Sequence, residues 1–247
     1  MRPLDIIRDK RRFEMFNEHS KDKVLEINSF FGKYLMHFEE RVKKRFVYYD
    51  TPNLDLIKSG IILYKTTIGN FCELNMANDT LPTIRNYKTR NSFKHFTLNM
   101  KPHESILKHK DFLIDSFTDM FISSINFDPE FLMRKLQVSY TIDTVSTEYR
   151  SMNISGLKIT YSFDKDVYTN HFNGVVKRAN ILTIYQHSQP NTDDDFNDLI
   201  SKLERYCKEL TSTKETKIMI ARRLTAVDDS QDKKTKKEKE EKPNDKK

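Results

Sequence analysis

The sequence predicts an α+β fold in which helices cover one face of an antiparallel sheet. Several short segments alternate polar and apolar residues with a period of two, which is typical of strands with one buried face. Other segments carry apolar residues three and four positions apart, which is typical of amphipathic helices. Such helices need an apolar surface to pack against, and the alternating strands supply one.

The strands are predicted in chain order from this alternation. They are expected at residues 6–16, 46–49, 61–65, 71–76, 96–101, 145–150 and 157–164. In the last of these strands, every second residue from Lys158 to Asp164 is polar, and the residues between them are apolar. Glu148 and Arg150 likewise share one side of their strand. The pattern therefore predicts a sheet with one polar and one apolar face.

The helices are predicted from the wider spacing of apolar residues. They are expected at residues 21–42, 105–121, 129–136, 193–210 and 214–223. The fourth helix begins with Asp193, Asp194 and Asp195, whose negative charges suit the positive end of a helix dipole. We expect these helices to pack against the apolar face of the sheet.

Two architectures satisfy this pattern. In an open α+β sandwich, the polar face of the sheet meets water. In a closed antiparallel barrel, the polar face lines a lumen and the helices cover the outside. Alternation alone leaves both architectures open.

The chain divides into a basic domain and a charged tail. Its 247 residues are enough for one large domain, which we place at residues 1–225. Residues 226–247 contain no aromatic residue and alternate Lys with acidic residues, so we expect a disordered tail. The tail holds 8 Lys and 7 acidic residues, so most of the net charge of +7 belongs to the domain. A basic domain suits a polyanionic ligand, although ordinary basic surfaces have the same charge.

Cysteine usage and hydropathy indicate a cytoplasmic protein. Cys72 and Cys207 lie far apart and have no metal-ligand spacing, which argues against a disulfide framework or a zinc site. No apolar run approaches the roughly 18 residues of a membrane span, and the N-terminal residues lack an apolar signal core. We therefore expect a cytoplasmic location and no membrane span. The sequence does not specify the oligomeric state.

The segment from Tyr48 to Leu56 reads Tyr-Tyr-Asp-Thr-Pro-Asn-Leu-Asp-Leu and is followed by Gly60 and an apolar strand. This sequence motif resembles one found in the CYTH family of triphosphate tunnel proteins. That family includes class IV adenylate cyclases, thiamine and inorganic triphosphatases, and relatives in polyphosphate synthesis. The resemblance implies an antiparallel β-barrel of the triphosphate-tunnel type, with helices packed on its outside.

Weaker similarities extend this resemblance over most of the domain. Residues 156–164 are similar to the family's strand that ends in an Asp, and Thr216 with Lys217 is similar to its C-terminal Ser-Lys segment. The family's first strand carries Glu-x-Glu-x-Lys, where this chain has Arg8, Lys10 and Arg12. A second Glu-x-Glu pair of the family corresponds to Thr183 and Tyr185. Both paired-glutamate motifs are therefore absent at the matching positions.

The resemblance implies a basic lumen that binds phosphates. Arg and Lys suit this task because charge-assisted hydrogen bonds to phosphate oxygens are roughly twice as strong as neutral ones. The predicted phosphate-binding residues are Arg8, Lys10, Arg12, Lys65, Lys101, Arg150, Lys158 and Lys217. A solvated surface charge is the alternative for each of them taken singly.

A divalent metal is the cofactor that the resemblance implies, because phosphoryl transfer in such a tunnel uses Mg²⁺ or Mn²⁺ to neutralise charge on the phosphates. These ions prefer carboxylate ligands. Glu73, Glu148 and Asp164 are the predicted metal ligands, and Glu14 would join them after a shift of the first strand. Carboxylates on a polar face that bind no metal are the alternative.

Three functions follow from these observations. The first is binding of a nucleoside triphosphate, polyphosphate or similar ligand in a basic tunnel with weak or no catalysis. The second is an active metal-dependent triphosphatase, polyphosphate enzyme or class IV-type nucleotidyl cyclase. The third is a protein or nucleic-acid interaction module. Residues 87–96 interleave basic and aromatic side chains, as a nucleic-acid surface does, but we favour a loop that leads into a strand. No Gly-rich phosphate loop or other common catalytic motif is present.

Overall fold

The computed structural model describes residues 7–17, 19–30, 34–78, 95–120, 128–153, 156–187 and 192–226. These residues form nine strands and six α-helices. The strands are β1 (Ile7–Met15), β2 (Tyr34–Asp50), β3 (Ile61–Ile68), β4 (Phe71–Asn78), β5 (His95–Asn99), β6 (Gln137–Asn153), β7 (Lys158–Asn170), β8 (Val176–His187) and β9 (Leu210–Thr213). The helices are α1 (His19–Phe30), α2 (Asp55–Lys58), α3 (Lys110–Met120), α4 (Pro129–Lys135), α5 (Asp193–Tyr206) and α6 (Lys217–Thr225), with a 3-10 helix (Ile106–His109) before α3.

All nine strands belong to one antiparallel sheet. Its order is β5-β4-β3-β2-β6-β7-β8-β1-β9, and the two longest strands, β2 and β6, pair at its centre. Within the described residues, β5 and β9 are the two ends of the hydrogen-bonded order. The predicted fold class is confirmed: the chain has an α+β fold in which helices pack on a barrel-like antiparallel sheet.

Helices cover the apolar face of the sheet in two places. At one place, α1 and α5 pack on β1, β7 and β8, where Phe13, Tyr161 and Phe196 are buried together. At the other, α3 and α4 pack on β3 and β4, where Leu74 and Phe117 are fully buried. Burial of each such side chain contributes about 1.5–3 kcal/mol, so these two clusters hold the helices on the sheet.

Helix α6 packs on the opposite, polar face. Its residues Ile218 and Ile220 are buried against Ile142, Tyr168 and Ile181, which lie on β6, β7 and β8. The sequence predicted a helix at residues 214–223 but placed the helices on the outside of the barrel. The position of α6 brings its first residue to the middle of the polar face.

The Asp-Thr-Pro turn after β2 has a defined structural role. The buried carboxylate of Asp50 accepts hydrogen bonds from the backbone N–H groups of Thr51, Leu56 and Ile57, at 2.7, 2.9 and 3.1 Å. The N–H groups of Leu56 and Ile57 would otherwise lack partners, because they lie in the first turn of the short helix α2. Leu54 takes a left-handed backbone conformation, with φ of 59°. The motif thus turns the chain from β2 into β3.

The predicted helix at residues 21–42 is wrong in its second half. Helix α1 ends at Phe30, and β2 begins at Tyr34. Residues of β2 from Tyr34 onward pair with β6, starting opposite Asn153. Apolar residues in this segment fit both periods, and the long-range pairing with β6 decides between them.

Two other predictions concern the chain as a whole. None of the helices in the described ranges is long and apolar enough to cross a membrane. The tail predicted at residues 226–247 lies outside the described residues, except for Ala226.

Candidate functional site

The polar face is built by residues that lie side by side across four strands. Glu148 on β6 is opposite Ser162 on β7, which is opposite Thr183 on β8, which is opposite Arg12 on β1. Residues opposite each other in an antiparallel sheet project from the same face, and neighbouring strands are about 4.8 Å apart. The register therefore places Arg12 and Glu148 on the same face of the sheet.

The next row along the strands adds two more cations. Arg150, Thr160, Tyr185 and Lys10 are opposite one another on β6, β7, β8 and β1. Lys158 lies two residues before Thr160, so strand alternation puts it on the same face. We call Lys10, Arg12, Arg150 and Lys158 together the cationic end of the polar face. Four of the predicted phosphate-binding residues thus share one end of one face.

Arg12 and Thr183 are neighbours with unused hydrogen-bonding capacity. One terminal nitrogen of Arg12, Nη1, donates to the backbone carbonyl of Glu215. Within the described part of the chain, the buried Nε of Arg12 and the buried Oγ1 of Thr183 have no hydrogen-bond partner. Buried polar atoms in proteins are nearly always hydrogen-bonded to protein, water or ligand. These two atoms therefore suit a ligand that carries oxygen acceptors and donors.

Lys217, the first residue of α6, neutralises two buried aspartates in the middle of the polar face. Its Nζ lies 3.0 Å from Oδ2 of Asp164, and 2.7 and 2.9 Å from the two carboxylate oxygens of Asp166. The side chains of Lys217, Asp164 and Asp166 are 12%, 5% and 0% exposed. Lys217 was predicted to bind phosphate, but its ammonium already has two anionic partners.

Hydroxyl groups complete this buried cluster. Asp164 accepts hydrogen bonds from Ser146 at 2.6 Å and from Ser162 at 2.8 Å. Asp166 accepts from Thr144 at 2.6 Å and from Tyr168 at 2.8 Å. Every carboxylate of the cluster is therefore bound by the lysine and by hydroxyl donors.

The electrostatics of the cluster follow from this bonding. Burial alone would raise the pKa of Asp164, but the charge of Lys217 and the hydrogen bonds from Ser146 and Lys217 outweigh it and lower the pKa. The pKa of the Tyr168 phenol is strongly raised, because it is buried and bound to the negatively charged Asp166. Burial and the nearby charge of Asp164 also raise the pKa of Tyr185. Asp164 is thus charged and both phenols are neutral at pH 7.

A second ion pair lies next to this cluster. Lys44 on β2 binds Glu148 with an Nζ–Oε1 distance of 2.6 Å, and both side chains are about four-fifths buried, at 21% and 22% exposure. Burial lowers the pKa of Lys44, but the hydrogen bond and charge of Glu148 outweigh it and raise the pKa. Two lysines therefore hold the acidic residues of the polar face.

The predicted metal ligands do not form a metal-binding group. Among the described residues, no three His, Cys, Asp or Glu side chains are arranged to hold a metal ion. Glu148 is bound by Lys44 and Asp164 by Lys217, whereas Glu73 lies on β4, across β2 and β3 from β6. Glu14 is bound by Arg223. Glu148, Asp164 and Glu14 therefore fit ammonium and guanidinium groups better than a divalent ion.

The remaining predicted phosphate-binding residues either lie away from the polar face or have side chains outside the described residues. Lys65 is on the apolar side of β3, and its Nζ donates to the backbone carbonyls of Pro102 and Glu104 at 2.7 and 3.2 Å. Lys101 is in the loop after β5, although a strand was predicted to include it. The side chain of Arg8 lies outside the described residues, as do residues 87–94 of the basic and aromatic segment predicted at 87–96, whose last two residues belong to β5.

Three residues of the site were missed by the sequence analysis. Asp166 continues the alternation of β7 beyond Asp164, so a longer strand would have revealed it. Lys44 lies two residues beyond the segment that was predicted to be helical. Thr183 was noted only as a replacement for a glutamate, and its position beside Arg12 requires the pairing of β8 with β1.

Comparisons with known proteins reveal similarity in structure but not in sequence. No family model and no curated protein sequence matches the chain. A candidate adenylate cyclase from Bacillus halodurans has a similar structure, with a TM-score of 0.50 and 10% identity over 85% of this chain and 94% of that one. A candidate adenylyl cyclase from Hippeastrum with a dominant triphosphatase activity matches with a TM-score of 0.48 and 9% identity, over 89% of this chain and 97% of that one. An inorganic triphosphatase matches at 10% identity over 76% of this chain and 78% of that one, with a TM-score of 0.26.

The similarity to the Bacillus halodurans protein establishes the fold and no more, because its identity is low. The chain therefore has a fold that is similar to that of a candidate adenylate cyclase. This supports the CYTH resemblance at the level of the fold. The activity has to be argued from the residues of the polar face.

Proposed function

We propose that this protein binds a triphosphate or polyphosphate at the cationic end of its polar face, with weak or no catalysis. The observation that carries the proposal is the pair of unpartnered buried atoms, Arg12 Nε and Thr183 Oγ1, next to Lys10 and Arg150 on the same face. A chain of phosphates supplies several negatively charged oxygens to such donors. The resemblance to triphosphate tunnel proteins and the similar fold of a candidate adenylate cyclase give the same ligand class.

Weak catalysis follows from the way in which the acidic residues are bound. Metal-dependent phosphoryl transfer needs carboxylates that hold Mg²⁺ or Mn²⁺. Lys217 and Lys44 hold the carboxylates of Asp164, Asp166 and Glu148. Binding through cations needs no metal, and a divalent ion that comes with the ligand would have to displace a lysine.

Titration calorimetry with tripolyphosphate, without metal and then with Mg²⁺ or Mn²⁺, tests the proposal. Lys10→Ser and Arg150→Ser change exposed residues, so both variants should fold. We expect each to weaken binding about 10-fold, because a hydrogen bond to a charged group contributes about 1.5–3 kcal/mol. Lys108→Ser and Lys208→Ser, which change exposed lysines elsewhere, are the matched controls.

Three results would contradict the proposal. Equal affinity in the Lys10, Arg150 and control variants would remove the cationic end from the binding site. Rapid metal-dependent turnover of tripolyphosphate that Glu148→Gln abolishes would establish the active enzyme instead. Unchanged thermal stability of the wild-type protein in saturating triphosphate would favour an interaction module, because a ligand of the native state must raise stability.

A further inference from the structure

A cavity of about 710 Å³ lies on the other side of the sheet from the candidate site. Two neighbouring rows of residues supply most of its lining, and Lys44, Gly69, Thr144, Asp166 and Ala179 complete it. The first row is Thr67, Arg45, Asp143, Val167 and Arg178, which are opposite one another on β3, β2, β6, β7 and β8. These residues alternate with Thr144 and Asp166, whose side chains join the Lys217 cluster on the polar face. The cavity is therefore a groove on the outer face of the sheet.

The second row runs beside the first and has the same direction. Lys43 on β2 is opposite Val145 on β6, which is opposite Lys165 on β7, which is opposite Asn180 on β8. All four residues line the cavity. The groove therefore crosses the strands from β2 to β8, a distance of about 14 Å for three strand spacings.

The groove carries a strong positive charge. Lys43, Arg45, Lys165 and Arg178 are exposed cations among its lining residues. Asp143 is the one anion of the two rows, and it lies 3.6 Å from Arg45. Because both side chains are more than half exposed, at 59% and 52%, this ion pair neutralises little of the field. Two cations stand on β2 and two on β7 and β8, so positive charge is present at both ends of the groove.

The composition of the lining distinguishes between polyanions. Proteins that bind single-stranded nucleic acid combine basic residues with aromatic side chains on which bases stack. None of the lining residues of this groove, all of which the structure describes, is aromatic. The groove is therefore equipped to bind phosphates and lacks a surface for bases.

We propose that the outer groove binds inorganic polyphosphate as an extended chain, through Lys43, Arg45, Lys165 and Arg178. The chain crosses the strands, and its phosphates bind the two cations on β2 and the two on β7 and β8. Arginine forms paired hydrogen bonds with phosphate oxygens, and lysine acts as a point charge. This site is separate from the cationic end of the polar face, and the proposal does not depend on the proposed function.

The experiment is a calorimetric titration of the full chain with long-chain polyphosphate, at two salt concentrations. The groove variant carries Lys43→Ser, Arg45→Ser, Lys165→Ser and Arg178→Ser. The matched control removes two lysines and two arginines from exposed positions outside the groove: Lys108→Ser, Arg134→Ser, Arg205→Ser and Lys208→Ser. Both variants lose the same net charge, so a difference between them reports position rather than total charge. Thermal unfolding verifies that both are folded.

We expect the groove variant to bind long-chain polyphosphate roughly 100-fold more weakly than the control does, with a slope of log affinity against log salt that is smaller by about 3. Tripolyphosphate affinity should be the same in the groove variant and the control, which separates this site from the polar face. Two results would overturn the proposal: equal polyphosphate affinity in the two variants, or tighter binding of a single-stranded oligonucleotide than of polyphosphate of equal charge. The second result would assign the groove to nucleic acid.

Discussion

Replacement of Lys217 by Met should destabilise the protein strongly and in a pH-dependent way. The ammonium of Lys217 lies within 3.0 Å of carboxylate oxygens of both Asp164 and Asp166, whose side chains are 5% and 0% exposed. Removal of one partner from a buried ion pair typically costs 3–5 kcal/mol, because the other charge stays buried without compensation. Total stability of a domain is typically about 5–15 kcal/mol, so this loss is a large fraction of it.

The pH dependence follows from the lowered pKa of Asp164. In the wild-type protein, the pKa of Asp164 is below the value of about 3.9 in the unfolded chain, so its contribution to stability is present above pH ~4 and is lost as pH falls further. In Lys217→Met, the lysine no longer opposes the effect of burial, so burial raises the pKa of Asp164. The stability deficit should therefore be larger at pH 7.5 than at pH 5, where Asp164 takes up a proton more readily.

Urea unfolding of the wild-type protein and the variant at both pH values measures this deficit. Lys214→Met, three residues earlier and exposed, is the control and should change the free energy of unfolding by less than about 0.5 kcal/mol. Lys217→Met with Asp166→Asn should recover part of the loss, because one uncompensated charge is removed. A deficit that equals that of the Lys214 control, or that does not change with pH, would refute the reasoning.

Three further results follow from the described contacts. Asp50→Ala should lower the free energy of unfolding by about 2 kcal/mol or more, since three backbone N–H groups lose their acceptor, and Asp50→Asn should lose less in the same urea titration. Because the pKa of Lys44 is raised, its pair with Glu148 stabilises the protein below about pH 10.4, and this stabilisation is lost as the pH rises further. Lys44→Met should therefore flatten the alkaline limb of a plot of unfolding free energy against pH. An unchanged alkaline limb would contradict this. Burial raises the pKa of Cys207 to about 11, so this thiol should react with a thiol-specific reagent at pH 7 only at the rate of unfolding, and fast labelling of the native protein would show that it is accessible.

The sheet and its polar face were predictable because strand alternation is a local property. Ser162 and Asp164 on β7, and Glu148 and Arg150 on β6, share a face as their spacing predicted. Lys65 was assigned to the polar face although it is in phase with Ile61 and Leu63, which are buried on the apolar face. A stricter use of the same period would therefore have placed Lys65 correctly.

The ion pairs of the site were not predictable from local patterns. Lys217 binds Asp166, which is 51 residues away in the chain, and this contact depends on α6 packing against the polar face. Nothing in the periodicity of an amphipathic helix indicates which face of a sheet it will cover. The start of β2 at Tyr34 likewise depends on pairing with the distant strand β6, which overrides the local helical spacing.

The position of bound tripolyphosphate tests the central claim most directly. A crystal structure of the complex should show phosphate oxygens within hydrogen-bonding distance of Arg12 Nε and Thr183 Oγ1, with Lys10 and Arg150 beside them and Lys217 still bound to Asp164 and Asp166. Tripolyphosphate bound only in the outer groove, or a metal ion held by Asp164 and Asp166 with Lys217 displaced, would contradict the account.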